Sequence, residues 1–150
     1  VDPEMKCRII YFTKTGHSRK IAGAVARELQ LSAEDIKTNP VMKDVDLLFI
    51  VGGIYGGKSD SAMLGYIKNI DRSMVEKAAL ITSCVSKKQK QDMIRKLLES
   101  NQVAVVADEF VCRGSFLFIG LGHPNKSDLN NAIAYAAKVV AEAEGEIKKQ

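Results

Sequence analysis

Apolar positions along this chain keep two rhythms, and the two alternate. Cys7 to Phe12 is a β-rich run with few polar residues, the pattern of a strand buried on both faces of a sheet. The rhythm then changes to helical spacing, with Ile21, Ala22, Val25, Ala26 and Leu29 on one stripe. Glu34 to Lys37 is a short, weak strand, and Pro40 stops any helix nearby. Asp46 to Val51 is a strongly apolar third strand, and Ser61 to Ile70 follows as a helix packing through Met63, Ile67 and Ile70. Ala78 to Thr82 is a fourth strand. Lys88 to Ser100 is a helix carrying Met93, Ile94, Leu97 and Leu98, and Val103 to Cys112 contains a fifth strand. The last helix runs from near Asp128 to Glu144, capped by Asn125 or Ser127, on a stripe of Leu129, Ala132, Ile133, Ala136, Ala137 and Val140. Strands alternating with helices predict an α/β fold, a parallel sheet covered on both faces.

One stretch stands out at the first strand-to-helix turn: Thr13-Lys14-Thr15-Gly16-His17-Ser18. Backbone N–H groups at a helix start have no intrahelical partner, and the helix dipole adds positive potential there. Three hydroxyls supply further donors, and glycine lets the main chain approach closely. The hexapeptide therefore predicts a phosphate cradle. It contains no evident catalytic base, so it reads as a grip on a cofactor.

Thr-x-Thr-Gly-x-Ser after a first strand resembles the FMN-phosphate loop of flavodoxins. Phe49-Ile50-Val51-Gly52-Gly53-Ile54-Tyr55-Gly56-Gly57-Lys58 resembles their third strand and flavin-contacting loop, and Gly122-His123-Pro124-Asn125 resembles the turn before the last helix of small flavodoxin-like proteins. The similarity covers roughly Lys6 to Ala143. It implies a doubly wound, five-stranded parallel sheet in the order 2-1-3-4-5. In that order a ligand lies at the carboxyl ends of strands one and three. The two motifs would then border one crevice. The resemblance implies FMN as cofactor, held by Thr13 to Ser18, with Gly53 to Lys58 against the flavin and Tyr55 stacked on its ring. It also implies contacts from the loop after strand four. Here that loop begins Ser83-Cys84-Val85-Ser86 and offers no second aromatic; its backbone groups can meet the pyrimidine edge.

A competing motif overlaps the second stretch. Gly52 to Ser59 matches GxxxxGK[ST], and Val103 to Asp108 has the form of an apolar strand ending in a magnesium-binding aspartate. A P-loop NTPase is thus an alternative, although it leaves the first hexapeptide unexplained. It would also place strand four between the two parts of the magnesium site.

The remaining chemistry is sparse. The three cysteines show no CxxC spacing, so neither a disulfide framework nor a zinc site is expected, and a reducing cytoplasm is the implied location. Cys84 is a candidate redox thiol, weighed against inert packing, which is the reading for Cys7 and Cys112. His17 contributes through its backbone, and His123 reads as a capping residue. No apolar run approaches the ~20 residues of a membrane span. The formal net charge is +4, unlike the acidic surface the resemblance implies, but no basic cluster interleaved with aromatics predicts nucleic-acid binding. Val1 to Glu4 read as a vector-derived remnant before Met5, with residues 5–150 forming one domain.

The sequence therefore predicts an FMN-binding redox protein, of the electron-carrier type, serving a redox partner protein or a small-molecule acceptor. The alternatives are an FMN-dependent NAD(P)H reductase of quinones or other small acceptors, and a flavin-free binding module of the same fold. No metal site and no membrane partner are expected.

Overall fold

The structure, a computed structural model, describes residues 1–55, 58–84, 90–113 and 122–149. Its elements run β1 (Cys7–Tyr11), α1 (His17–Leu29), β2 (Ala33–Asp35), a 3-10 turn (Ile36–Thr38), β3 (Val45–Tyr55), β4 (Lys58–Ser59), α2 (Ser61–Ile67), β5 (Val75–Cys84), α3 (Asp92–Ser100), β6 (Ala104–Val105), β7 (Phe110–Arg113) and α4 (Lys126–Lys148).

The sheet order is β2-β1-β3-β5-β6, with β7 also paired to β5 and all these pairs parallel. This is the expected doubly wound order, with two differences in strand count. β4 is an antiparallel return strand on the end of β3. The fifth position is filled by two short strands rather than one. Ala78 pairs with Val105 and Ile81 with Phe110, so three steps along β5 face five steps on the partner. The two surplus residues are accommodated where side chains take the backbone acceptors: Arg95 donates to the Val106 carbonyl and Tyr135 to that of Asp108.

Both faces of the sheet are covered. Ile9, Tyr11, Leu47, Phe49, Val51, Ala79 and Ile81 pack towards α1 and α4. Their neighbours Ile10, Leu48, Ile50, Ala78 and Leu80 pack into a second core with Met63 and Ile67 of α2 and Ile94 and Leu98 of α3. Alternate residues of a strand point to opposite faces. A run such as Leu47–Val51 must therefore be apolar throughout, because either face left polar would bury an unpaired group.

Several boundaries differ from the expected ones. β3 extends to Tyr55 because Gly52 and Gly53 remain in register with Thr82 and Ser83 of β5. α3 begins at Asp92, the Gln91 N–H being held by the Glu109 carboxylate; the expected start at Lys88 lies outside the described residues. β2 ends at Asp35, whose side chain accepts from the Lys37 N–H and opens the 3-10 turn. α2 ends at Ile67. α4 reaches Lys148 and is capped by Asn125 in a capping box with Asp128.

Candidate functional site

The parallel strands β1, β3 and β5 deliver three turns to one edge of the sheet. The first follows β1. Thr13 Oγ1 accepts from the Gly16 N–H at 2.7 Å, closing the turn. Gly16 sits at φ 89°, in the left-handed region where a Cβ is unfavourable, and serves as the N-cap of α1. Gly16 has no side chain with which to cap the helix, so the start of α1 keeps the donor-rich, electropositive character of a helix N-terminus. Ser18, one residue into the helix, is 1% exposed, and its Oγ has no hydrogen-bond partner among the described residues. A buried hydroxyl without a partner is costly, and its presence at an uncapped helix start fits an absent anionic ligand. Thr15 Oγ1 lies 3.0 Å from His17 Nδ1. Burial first, and the Lys20 ammonium second, hold the His17 imidazole below its ordinary pKa.

The second turn joins β3 to α2. Ile54 pairs with Ser59 and Tyr55 with Lys58 in the β3–β4 hairpin, leaving the Ile54 side chain buried and Lys58 exposed. Asp60 then caps α2, its Oδ1 accepting from the Ala62 N–H at 2.8 Å. Its Oδ2 lies 3.1 Å from Lys14 Nζ, tying this turn to the one after β1. The Phe12 N–H also reaches the Val51 carbonyl.

This geometry overturns the P-loop alternative. Gly52 to Tyr55 is extended strand, Lys58 and Ser59 run back antiparallel to it, and the N-terminus of the following helix already holds a carboxylate. A Cβ on Gly52 would come 3.1 Å from Gln91 Oε1, so this glycine makes room for a side chain rather than for a phosphate. Asp108 does not end a continuous strand. It faces Lys138 at the surface, on the far side of β5 from β3.

The third turn leaves β5. Ser83 and Cys84 are buried at its carboxyl end, in register with Cys112 and Arg113 of β7. Gly56, Gly57, Val85 and Ser86 lie outside the described residues, as does the side chain of Tyr55. Thr13 to Ser18, Gly53, Ile54, Lys58, Ser83 and Cys84 are therefore gathered at one edge.

Behind this edge lies a polar cluster that the sequence reading missed. The Glu109 side chain is fully buried, its Oε2 accepting from Thr82 Oγ1 and from the Gln91 N–H, both at 2.7 Å. Arg95 Nη2 stands 3.7 Å from Oε1, and Gln91 Nε2 donates to Thr82 Oγ1 at 3.0 Å. The only sequence signal was an acidic residue inside a β-pattern. Asp60 was more legible, as an aspartate directly before a helix. His123 meets Asp128 at 2.6 Å beside the capping box and serves the helix start, as its position implied.

A family model for the flavodoxin domain matches residues 8–127. The chain belongs to the flavodoxin domain family. Membership makes this flavodoxin-domain protein an FMN-binding redox protein. Its fold is shared with oxidised flavodoxin 2 of Bacillus cereus, at 13% identity, TM-score 0.70, over 91% of this chain and 99% of that one. It is shared with rubredoxin oxygen:oxidoreductase of Desulfovibrio gigas, at 12% identity and TM-score 0.68, over 95% of this chain and 37% of that one. It is shared also with the NAD(P)H:quinone oxidoreductase of Methanothermobacter marburgensis, at 13% identity and TM-score 0.59, over 89% and 93% of the two chains. No curated protein sequence matches. Among the described residues no helix is long and apolar enough to cross a membrane, and no acidic, histidine and cysteine groups cluster as metal ligands.

Proposed function

We propose that this protein is an electron carrier of the flavodoxin type, exchanging electrons between partner proteins through FMN held at the carboxyl edge of the sheet. The observation that carries the reading is the uncapped start of α1 with the buried, unpartnered Ser18 hydroxyl beside it. Bound there, FMN would supply the redox chemistry. The residues bind and orient it. Thr13, Thr15 and Ser18 would donate hydroxyl hydrogens to the phosphate, and the N–H groups of Thr15, His17 and Ser18 would add main-chain donors, the Gly16 N–H being held by Thr13 Oγ1. Lys14 brings a positive charge to the same turn, shared with Asp60. Gly53 to Lys58 and Ser83 to Ser86 are assigned to the flavin ring, with Tyr55 as the aromatic that stacks on it. We place the protein in the cytoplasm, in keeping with three buried cysteines that a reducing compartment would leave as thiols.

Calorimetric titration with FMN, riboflavin and ATP–Mg²⁺ tests the reading. FMN should bind far more tightly than either of the others, and the complex should show the visible spectrum of an enclosed flavin. Riboflavin binding as tightly as FMN would remove the phosphate grip. Rapid bleaching of the bound flavin by NADPH alone would replace the carrier with a reductase.

A further inference from the structure

An apolar opening lies away from the turn after β1, between α2 and α3. It is a groove of about 590 Å³ floored by Leu64, Gly65 and Leu97, walled by Met93, and flanked by Lys68 and Lys96. Met93 is half exposed, leaving its side chain accessible along the groove. Nothing lies within 4 Å of where a Cβ on Gly65 would stand, so the floor is open to an incoming side chain. At its lower end Asn101 donates to the carbonyls of Lys68 and Ile70, fixing the two helices together. Its upper end opens at the first turn of α3, which leaves the same sheet edge as the candidate FMN site.

The charges select the occupant. Among the described residues, the charged ones lining the groove are the lysines Lys68 and Lys96. Asp92 and Glu99 are exposed on α3 but are not among its lining residues. A second copy of this chain is a poor match, because a two-fold contact sets Lys68 and Lys96 against the same lysines of the other copy. We infer that the α2–α3 groove is the docking surface for a small acidic redox protein, one that inserts an apolar side chain between carboxylates. The inference rests on the carrier reading for the identity of that partner. The polarity is opposite to that of a carrier that docks through an acidic face, and it agrees with the net charge of +4.

The test uses FMN-loaded, ¹⁵N-labelled protein and zinc-substituted rubredoxin as an acidic, redox-inert probe. Backbone amide shifts should cluster on residues 64–68 and 93–100 and fade with added salt. Lys68→Glu/Lys96→Glu should weaken binding at least about tenfold, since both charges flank the contact. Lys148→Glu/Lys149→Glu makes the same change in net charge at the exposed end of α4 and should leave affinity within about twofold. Shifts clustered elsewhere, equal weakening by both double variants, or no binding would overturn the groove. A second arm uses iron rubredoxin with the dithionite-reduced protein, each Fe(III) taking one electron from the flavin to become Fe(II). Transfer slowed only by the groove variant supports the proposal, and measurable transfer at equal rates in both variants overturns it. Groove binding without electron transfer would sink the carrier reading and leave the docking surface standing.

Discussion

Ser18 and His17 are where the proposed phosphate grip makes its sharpest predictions. A buried hydroxyl without a partner costs about 1–3 kcal/mol, and a hydrogen bond to a charged acceptor returns about 1.5–3 kcal/mol. Ser18→Ala should therefore leave the flavin-free protein as stable as before, or slightly more so, in urea denaturation. FMN affinity should fall by roughly 10- to 100-fold, with riboflavin affinity unchanged. An unchanged FMN affinity would place the phosphate elsewhere. His17 gives a pH signature. Its folded pKa lies below the unfolded value because burial disfavours the imidazolium, with Lys20 adding to it. Below pH ~6.5 the unfolded chain thus binds more protons than the folded one, so stability falls with acid there and is restored above it. His17→Gln should remove that dependence. A phosphate dianion at the turn reverses the local sign. The ring's NMR titration midpoint should therefore rise when FMN binds, and identical midpoints with and without FMN would count against the assignment.

At the scale of the element, α1 carries two glycines with opposite requirements. Gly23 is inside the helix with open space where its Cβ would be, so Gly23→Ala should stabilise the protein by about 0.5–1 kcal/mol through helix propensity. Gly16 also has open space, but its φ of 89° strains any side chain. Gly16→Ala should destabilise by about 1–2 kcal/mol and distort the phosphate turn. Thermal unfolding of the two variants measures both, and a shift of the same sign would contradict the cap geometry. The helix starts also divide by task. Asp60 caps α2 and Asn125 caps α4, whereas α1 has no described side-chain cap. α3 has no side-chain cap either, but the N–H of its N-cap residue Gln91 is held by the Glu109 carboxylate, whereas the start of α1 is the one proposed to take an anion.

At the scale of the molecule, Glu109 joins three elements that the sheet alone would hold loosely. It leads into β7, accepts from β5 through Thr82, fixes the start of α3 through Gln91, and faces Arg95. Glu109→Ala would leave these donors unpaired and the Arg95 charge without its partner. A loss of about 3–5 kcal/mol in urea denaturation is expected. Glu109→Gln keeps an acceptor oxygen and should lose only about 1–2 kcal/mol. A loss under about 1 kcal/mol for the alanine variant would mean that the cluster is incidental to stability. Because the same carboxylate anchors Gln91 just past the β5 turn, both variants should also weaken FMN binding.

The strand order came from the family resemblance, while the main strands and helices, and the hydroxyl-rich turn before α1, were legible in the sequence itself. Each is written in local terms: continuous apolar runs for strands buried on both faces, helical stripes between them, and hydroxyls with a glycine directly before a helix. It did not determine that Gly52 and Gly53 are strand rather than loop, because that depends on register with Thr82 and Ser83 of β5. Glycine pairs read as turns unless a neighbouring strand holds them. Nor did it determine the break between β6 and β7, which follows from a two-residue mismatch against β5. The Lys14–Asp60 pair and the Glu109 cluster were equally hidden, since Lys14 and Asp60 lie 46 residues apart and Glu109 lies 14 to 27 residues beyond Arg95, Gln91 and Thr82, on a different element from each. Local pattern fixes which residues face a core. Only the packed sheet decides which polar groups meet behind it, because buried polar groups take whichever partners the tertiary fold brings within reach.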